Sequence, residues 1–393
     1  MKIGLILNRP PSKSETFLIS KIKGLQKNGH EIIIFANKNC DFQLCKVVAM
    51  PVVNRFIPIQ IIKMFYQYIL LIIKIPFVTI KFLKLEKIDG KSFRKRWENL
   101  YLNAKILKYK IDWVHFGFAT TTIRKENIAK AINAKMSISI RGYDIFIYPL
   151  KNPNCYNTLW EKIDKVHSIS NCLLKKAKEY GLDDTIKQSI IYPAVDTSIF
   201  FRKKGEKQLI NSKDSIELLT VARLHWIKGL EYVLQAIKYL NSEKFNYTIV
   251  GDGIEYERLA LAIDQLNLTN NVQMVGYVPH SKILSYYKEA DMYIQYSLEE
   301  GFCNTVLEAQ SMGILTVVSD ASGLKESVNN HVTGWIVPKR DPILLSEKIK
   351  EIVSLNHKEL DKIRNNAVKR IRKKFSLESQ EYQFNKFFNE DLF

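Results

Sequence analysis

Along the chain, apolar residues come in short blocks divided by polar turns, and the blocks follow two periods. Residues 2–7 read Lys-Ile-Gly-Leu-Ile-Leu, an apolar run of strand length that stops at Asn8. After a polar loop over 8–13, a helix begins with Ser14 as N-cap and sets Phe17, Leu18 and Ile22 on one face. Gly29-His30 turns the chain into a second apolar strand over 32–35. Strand, helix and strand at this spacing make a βαβ unit, and hence a parallel sheet covered by helices. Further strands are expected near 113–116, 136–140, 165–169 and 189–192. The stretch 197–215 is polar and charged and reads as a linker. Beyond it the alternation restarts, with strands at 216–222, 247–250, 272–275, 292–296 and 315–318. Between the first two of these, Leu230, Val233, Leu234, Ile237 and Leu240 mark a helix. The fold class is therefore α/β, with two doubly wound Rossmann-like domains, 1–200 and 214–375. They are expected to face each other across a cleft between the carboxyl ends of their sheets. A C-terminal helix over about 376–393 is expected to pack back on the first domain.

One segment breaks the alternation. Residues 59–85 are long and very apolar, yet Lys63, Lys74 and Lys81 recur and share one helix face with Gln67, at about 100° per residue. Three lysines disfavour a spanning helix, and Pro76 kinks it. Such a helix lies either on its own domain or in a membrane interface. Lys91, Arg94, Lys95, Arg96 and Trp97 follow as a basic cluster with an aromatic beside it.

Composition narrows the partner. The 393 residues are 46% hydrophobic and 25% charged, which excludes a disordered or collagen-like chain. Residues 1–110 carry 21 basic and 6 acidic side chains, 111–210 carry 16 and 10, and 211–393 carry 22 and 24. The net +19 thus belongs to the first half, whereas a genome-wide lysine bias would raise both. A basic half suits an anionic partner, either nucleic acid or a phospholipid surface. Its basic residues accompany aliphatic runs rather than interleaved aromatics, which favours the membrane over nucleic acid. Five cysteines without a CxxC pair, and seven histidines without HxH or HxxxH spacing, give no disulfide framework and no metal site. The N-terminal apolar run is too short for a signal peptide, so a cytoplasmic protein is expected.

Three loops, each between a strand and a helix, carry candidate chemistry. Arg223 and Lys228 in Arg223-Leu224-His225-Trp226-Ile227-Lys228-Gly229 lie just past a strand's carboxyl end, where two cations suit a diphosphate. Gly251-Asp252-Gly253 lets backbone N–H groups approach an anion or a ribose, and equally describes a tight turn. Glu300-Gly301-Phe302-Cys303-Asn304-Thr305 places a carboxylate before a helix whose N-terminus aims free N–H groups at the ligand, and Glu308 follows in that helix. Paired acids often mean hydrolysis. Here cations and a helix N-terminus stand beside them, so one carboxylate suits sugar hydroxyls and the other a ribose diol.

RLxxxKG followed by EGFCNTVLEA resembles the donor half of glycosyltransferase family 4, the retaining GT-B enzymes, and most of all the bacterial exopolysaccharide and colanic-acid type. Ser14-Glu15-Thr16-Phe17, His115-Phe116-Gly117, Arg141-Gly142-Tyr143-Asp144 and Tyr192-Pro193-Ala194-Val195-Asp196 resemble that subgroup in order and spacing. The resemblance implies that Arg223 and Lys228 hold the donor diphosphate, Glu300 the transferred sugar and Glu308 the ribose. Gly251, Gly253, Gly301, Phe302, Cys303, Asn304 and Thr305 would complete the donor site. Glu15, Thr16, His115, Arg141 and Asp144 would face the acceptor. Many members have His where this chain has Arg141, so that role is lost, passes to Arg141 as charge stabilisation, or moves to His115. Arginine cannot act as a general base.

The activity so implied is transfer of a hexose, with retention, from a nucleotide diphosphate sugar. UDP-sugar is the expected donor and a lipid-linked or oligosaccharide chain the acceptor. Further expectations are no metal, no nucleic acid, and peripheral attachment to the anionic inner face of the cytoplasmic membrane. The alternatives are a GT-B epimerase or phosphorylase, or a basic nucleic-acid-binding protein.

Overall fold

The computed structural model describes residues 1–12, 15–37, 42–202, 215–240 and 244–390, with only the backbone of Thr16. Ser14, Cys40 and most of the expected linker lie outside the described residues. The chain divides into two compact units, one of Met1–Ile191 with Glu381–Phe393, the other Tyr192–Gln380.

The first unit is a seven-stranded parallel sheet. Its strands are β1 (Lys2–Ile6), β2 (Glu31–Ala36), β3 (Lys46–Ala49), β4 (Trp113–Phe116), β5 (Lys135–Ile140), β6 (Lys165–Ser168) and β7 (Lys187–Ile190). Their order is β3-β2-β1-β4-β5-β6-β7, so it reverses between β1 and β4. Strands covered on both faces must be apolar throughout, which is why β1 and β2 read as unbroken runs. Helix α1 (Thr16–Lys27) buries Leu18, Ile22 and Leu25, one stripe at helical spacing, against that sheet. The C-terminal helix Leu377–Asn389 crosses the division between the units. Its Phe384, Phe387 and Phe388 lie in the core of the first unit, and the Phe388 ring meets Trp113 at 5.7 Å.

The single helix expected over 59–85 divides into α2 (Ile57–Lys74) and α3 (Pro76–Ile88), followed by α4 (Phe93–Asn103). Ile75 between them has φ −142° and ψ 56°, away from helical values, because Pro76 restricts the residue before it and lacks an N–H. This corrects the lysine stripe. Lys63 and Lys74 share α2, whereas Lys81 sits on α3 and donates to Asn133 Oδ1.

The second unit is a six-stranded parallel sheet of β8 (Ile216–Val221), β9 (Phe245–Val250), β10 (Val272–Gly276), β11 (Met292–Gln295), β12 (Leu315–Ser319) and β13 (Trp335–Val337). The order β10-β9-β8-β11-β12-β13 reverses between β8 and β11. Helix Leu230–Tyr239 buries Leu230, Val233, Leu234 and Ile237 on its core. The first residues of the expected linker belong to this unit. Phe200 is buried, its carbonyl accepts from Ser311 Oγ, and Arg202 donates to the Ala290 carbonyl.

Candidate active site

In the second unit, the site is built on the two strands that flank the reversal. The chain leaves β8 through Arg223 to Lys228 and leaves β11 through Ser297 to Cys303, so sheet order alone brings the two loops together. Lys228 donates to Glu300 Oε2, and both side chains are 16% exposed. Burial lowers the Lys228 pKa, but the Glu300 charge and hydrogen bond outweigh it, so the ammonium is held above its ordinary range. Ser297 Oγ donates to the same Glu300 oxygen at 3.2 Å. Arg223 is exposed beside this pair and forms no ion pair among the described residues. Gly229 closes the loop with φ 61°, and a Cβ there would come within 2.3 Å of the Tyr296 carbonyl oxygen, which excludes other residues.

The Gly251-Asp252-Gly253 turn serves the site differently from expectation. The Gly251 N–H donates to the Gly276 carbonyl and the Gly253 N–H to Asp252 Oδ1, so neither is open to an anion. The glycines instead let the turn lie against the arginine loop, where the Leu224 N–H donates to the Asp252 carbonyl at 2.9 Å. They make room for Arg223.

Helix Asn304–Ser311 starts at Cys303 with no side-chain cap. Its first N–H groups therefore have no side-chain acceptor at the cap, and the positive dipole end is presented there. Thr305 Oγ1 accepts from the Tyr293 hydroxyl at 2.6 Å and lies 3.2 Å from Cys303 Sγ. Burial, with Glu300 nearby, raises the Cys303 thiol pKa. Phe302 is buried against Tyr192 and Phe375, so only its backbone can face a ligand. Glu308 is also buried: its Oε1 lies 3.0 Å from His280 Nε2 and its Oε2 accepts from the Tyr287 hydroxyl at 2.8 Å. The hydrogen bond to Glu308 raises the His280 pKa. Phe200 packs against both rings, tilted to His280 and edge-on to Tyr287, at 5.5 and 5.8 Å between ring centres.

Several residues that set this geometry carried no sequence signal. Gly323 admits the Glu300-Gly301 backbone, for a Cβ there would meet the Gly301 carbonyl oxygen at 2.3 Å. Lys339 Nζ donates to the Leu298 carbonyl, and His280, Tyr287 and Tyr293 hold the following helix. All are far in sequence from the loops they brace.

In the first unit, the loop after β1 holds Glu15, whose Oε2 accepts from the Ser12 N–H at 2.8 Å and lies 3.7 Å from Arg9. Arg141, just past the end of β5, has its guanidinium carbon 3.9 Å from the ring centre of Phe17 and 5.4 Å from that of Phe118, with its Nε buried and unpartnered. Burial pushes its pKa down to about 10 against the pull of Asp144 and Glu15, so it stays a cation at neutral pH.

Two acceptor-side expectations need correction. Asp144 is 1% exposed and accepts from the Thr120 N–H and hydroxyl and the Arg141 N–H, so it staples two loops rather than facing a ligand. His115 is fully enclosed and cannot replace a catalytic histidine. Its Nε2 lies 2.7 Å from Lys21 Nζ, its Nδ1 lies 2.8 Å from Ser137 Oγ, and Phe388 covers the ring. The side chain stands off a sheet face that α1 and the C-terminal helix cover, through Lys21 and Phe388, so it has no path to a ligand.

This enclosed cluster has a pH signature. Burial, then the charges of Lys21 and Arg141, holds His115 and His167 well below their ordinary pKa, and burial likewise lowers Lys21. All three bind protons more readily in the unfolded chain, so stability falls as pH falls, through the histidines below about pH 6.5. The first unit is expected to lose up to about 3 kcal/mol per pH unit there. Thermal melting at pH 7 and 5.5 checks it: equal midpoints would remove the claim, and His167→Asn should flatten the slope.

Comparisons with known proteins point to a glycosyltransferase. The family described as glycosyl transferases group 1 matches residues 201–370. A Salmonella typhimurium chain described as colanic acid biosynthesis glycosyltransferase WcaL is 24% identical over 402 residues, 96% of each chain. The amylovoran biosynthesis glycosyltransferase AmsK of Erwinia amylovora is 28% identical over 61% of this chain and 60% of its own. The structure of Anabaena HepE in complex with UDP-glucose has a TM-score of 0.75 at 15% identity, over 99% of this chain and 100% of its own, a likeness of fold. With the cation loop and the two-glutamate loop meeting at the sheet reversal of the matched region, the chain is a glycosyltransferase of the two-domain GT-B fold that carries a group 1 glycosyl transferase domain over residues 201–370 and is similar to bacterial exopolysaccharide glycosyltransferases.

Proposed function

We propose that the protein transfers a hexose with retention from a nucleotide diphosphate sugar, a UDP-sugar, to a lipid-linked saccharide at the inner face of the cytoplasmic membrane. One observation carries the reading: the Lys228–Glu300 pair, with Arg223 beside it, stands at the point where open α/β sheets bind ligands. A diphosphate arriving there takes up Arg223 and part of the hydrogen bonding of Lys228, which frees Glu300 for sugar hydroxyls. The N-terminus of helix Asn304–Ser311 adds N–H donors. Glu308 keeps lone pairs for a ribose beyond its two present partners. Glu15, Thr16 and Arg141 take the acceptor side. Anabaena HepE, of the same fold, binds UDP-glucose, and the relatives named for colanic acid and amylovoran synthesis support a surface-polysaccharide acceptor.

In the transfer, the anomeric C–O bond to phosphate breaks as the acceptor oxygen bonds to the same face of that carbon. The acceptor proton passes to a phosphate oxygen of the departing nucleoside diphosphate. Arg223 and Lys228 stabilise the charge that develops on the leaving group, the service a metal ion gives elsewhere. Transfer is therefore expected to proceed without divalent cation.

A panel of nucleotide sugars, each with and without crude lipid extract, tests the reading through nucleoside diphosphate release. One donor should give lipid-stimulated release that excess chelator leaves unchanged. Activity abolished by chelator and restored by manganese or magnesium would overturn the metal-free step, and a product of inverted anomeric configuration would overturn retention.

A further inference from the structure

Helix α2 is seated on the first unit along one stripe, with Leu71 its one buried residue. The Tyr68 hydroxyl donates to the Trp97 carbonyl at 2.8 Å, and Lys108 Nζ donates to Gln67 Oε1 at 3.3 Å. Just ahead of the helix, the Tyr101 hydroxyl donates to the Val52 carbonyl. Its 18 residues are long and apolar enough on average to cross a bilayer, but these tethers lay it along the domain. The opposite face is open: Ile62 is 68% exposed, Ile73 71%, and Phe77 at the start of α3 86%. So large an apolar surface is a binding surface. Lys63 and Lys74 fall on its flank, at about 100° per residue.

Between α2 and α4 is a cavity of about 860 Å³, within the ~300–1,000 Å³ range of small-molecule sites. Ile57, Ile61 and Phe65 wall it from α2, and Phe93 and Trp97 from α4. Arg94 and Arg124 also line it and share the one carboxylate of Glu98, at 2.9 and 3.0 Å, which leaves a net positive charge. Residues 51–105 hold eleven basic side chains and three acidic ones. The other two acids are occupied, Glu86 by Asn99 and Asn127 and Asp89 by Lys162. An apolar cavity with cations at its wall suits a hydrocarbon chain with an anionic head. Arg124 also lies four residues after Thr120, which donates to Asp144 beside Arg141, a reach of at most about 14 Å.

We propose that this cavity holds the hydrocarbon tail of the lipid-linked acceptor, with the phosphate of that lipid at Arg94 and Arg124. The inference rests on the lipid-linked reading above, and the short reach to the loop of Arg141, held by Asp144 on the acceptor side, is what favours the acceptor's tail over a bulk bilayer lipid.

Calorimetric titration of the full chain with geranylgeranyl phosphate tests it. Saturable binding is expected, at least tenfold weaker in Ile61→Trp, which fills the cavity, and unchanged in Ile62→Asp, which lies outside it. Geranylgeraniol, which lacks the phosphate, should bind at least tenfold more weakly. Phosphatidylglycerol vesicles should show the reverse pattern, retaining Ile61→Trp and releasing Ile62→Asp. Lysophosphatidylglycerol binding as tightly as the isoprenoid would assign the cavity to bilayer lipid and overturn the proposal. So would absent isoprenoid binding in a protein that still gives lipid-stimulated release, whereas transfer to soluble saccharide alone would instead remove the lipid-linked reading.

Discussion

Lys228→Met should lower kcat/KM for transfer by about 30-fold to a few thousand-fold, equivalent to ~2–5 kcal/mol for a lost charge contact to a desolvated anion. Methionine keeps much of the side-chain volume and removes the charge that meets both Glu300 and the leaving diphosphate. The variant also leaves the Glu300 carboxylate, 16% exposed, with Ser297 but without its lysine partner, so some stability goes with it. The double variant Lys228→Met with Glu300→Gln separates the two effects: it should recover most of the unfolding midpoint and remain inactive. Steady-state kinetics and denaturant unfolding on the same samples give both readouts. A single variant with wild-type kcat/KM would discard the diphosphate role of Lys228.

Gly251→Ala should be the most damaging of the conservative changes. The added Cβ would come within 1.9 Å of the Ala222 carbonyl oxygen, and Gly251 has φ +147°, so crowding and backbone strain act together. Overpacking costs about 1–3 kcal/mol and strain a similar amount, giving ~2–6 kcal/mol in the second unit. Gly253→Ala isolates the first component, because its Cβ would meet the Leu224 carbonyl oxygen at 2.1 Å without a positive φ, and should cost about 1–3 kcal/mol. Neither clash is relieved by rotating a side chain. The arginine loop must move, and UDP affinity should fall with stability in both variants. An unchanged unfolding midpoint in Gly251→Ala would show that the two loops do not pack as described.

Much of the second unit was legible before folding. Strand–loop–helix placement put Arg223, Lys228 and Glu300 at carboxyl ends of strands, and the structure brings them to the two strands of the reversal. The bracing residues were not legible. His280, Tyr287, Gly323 and Lys339 act across tens of residues, and no local pattern distinguishes them from ordinary helix or turn residues. Two strands escaped notice: β13 because three residues are too few to show a period, and β3 because, as an edge strand with Val48 its one buried residue, it presents no continuous buried run. Phe200 sat in a stretch whose average polarity hid one apolar anchor.

The sequence by itself determined the elements and their kind. Parallel strands buried on both faces must be apolar runs, and amphipathic helices must repeat every three or four residues. Both patterns are local, and they place each loop motif on a strand end without knowledge of the rest. Tertiary structure alone decided what each motif meets. Strand order selected Glu300 as the partner of Lys228. Inward pleating enclosed His115 with Lys21. Close approach of two backbones turned the Gly251 and Gly253 turn from an anion cradle into the seat of the arginine loop. One proline left α2 lying on its domain with an apolar face open, where the hydropathy pattern alone allowed either burial or membrane contact. Such pairings join residues far apart along the chain, and neither periodicity nor spacing carries information about them.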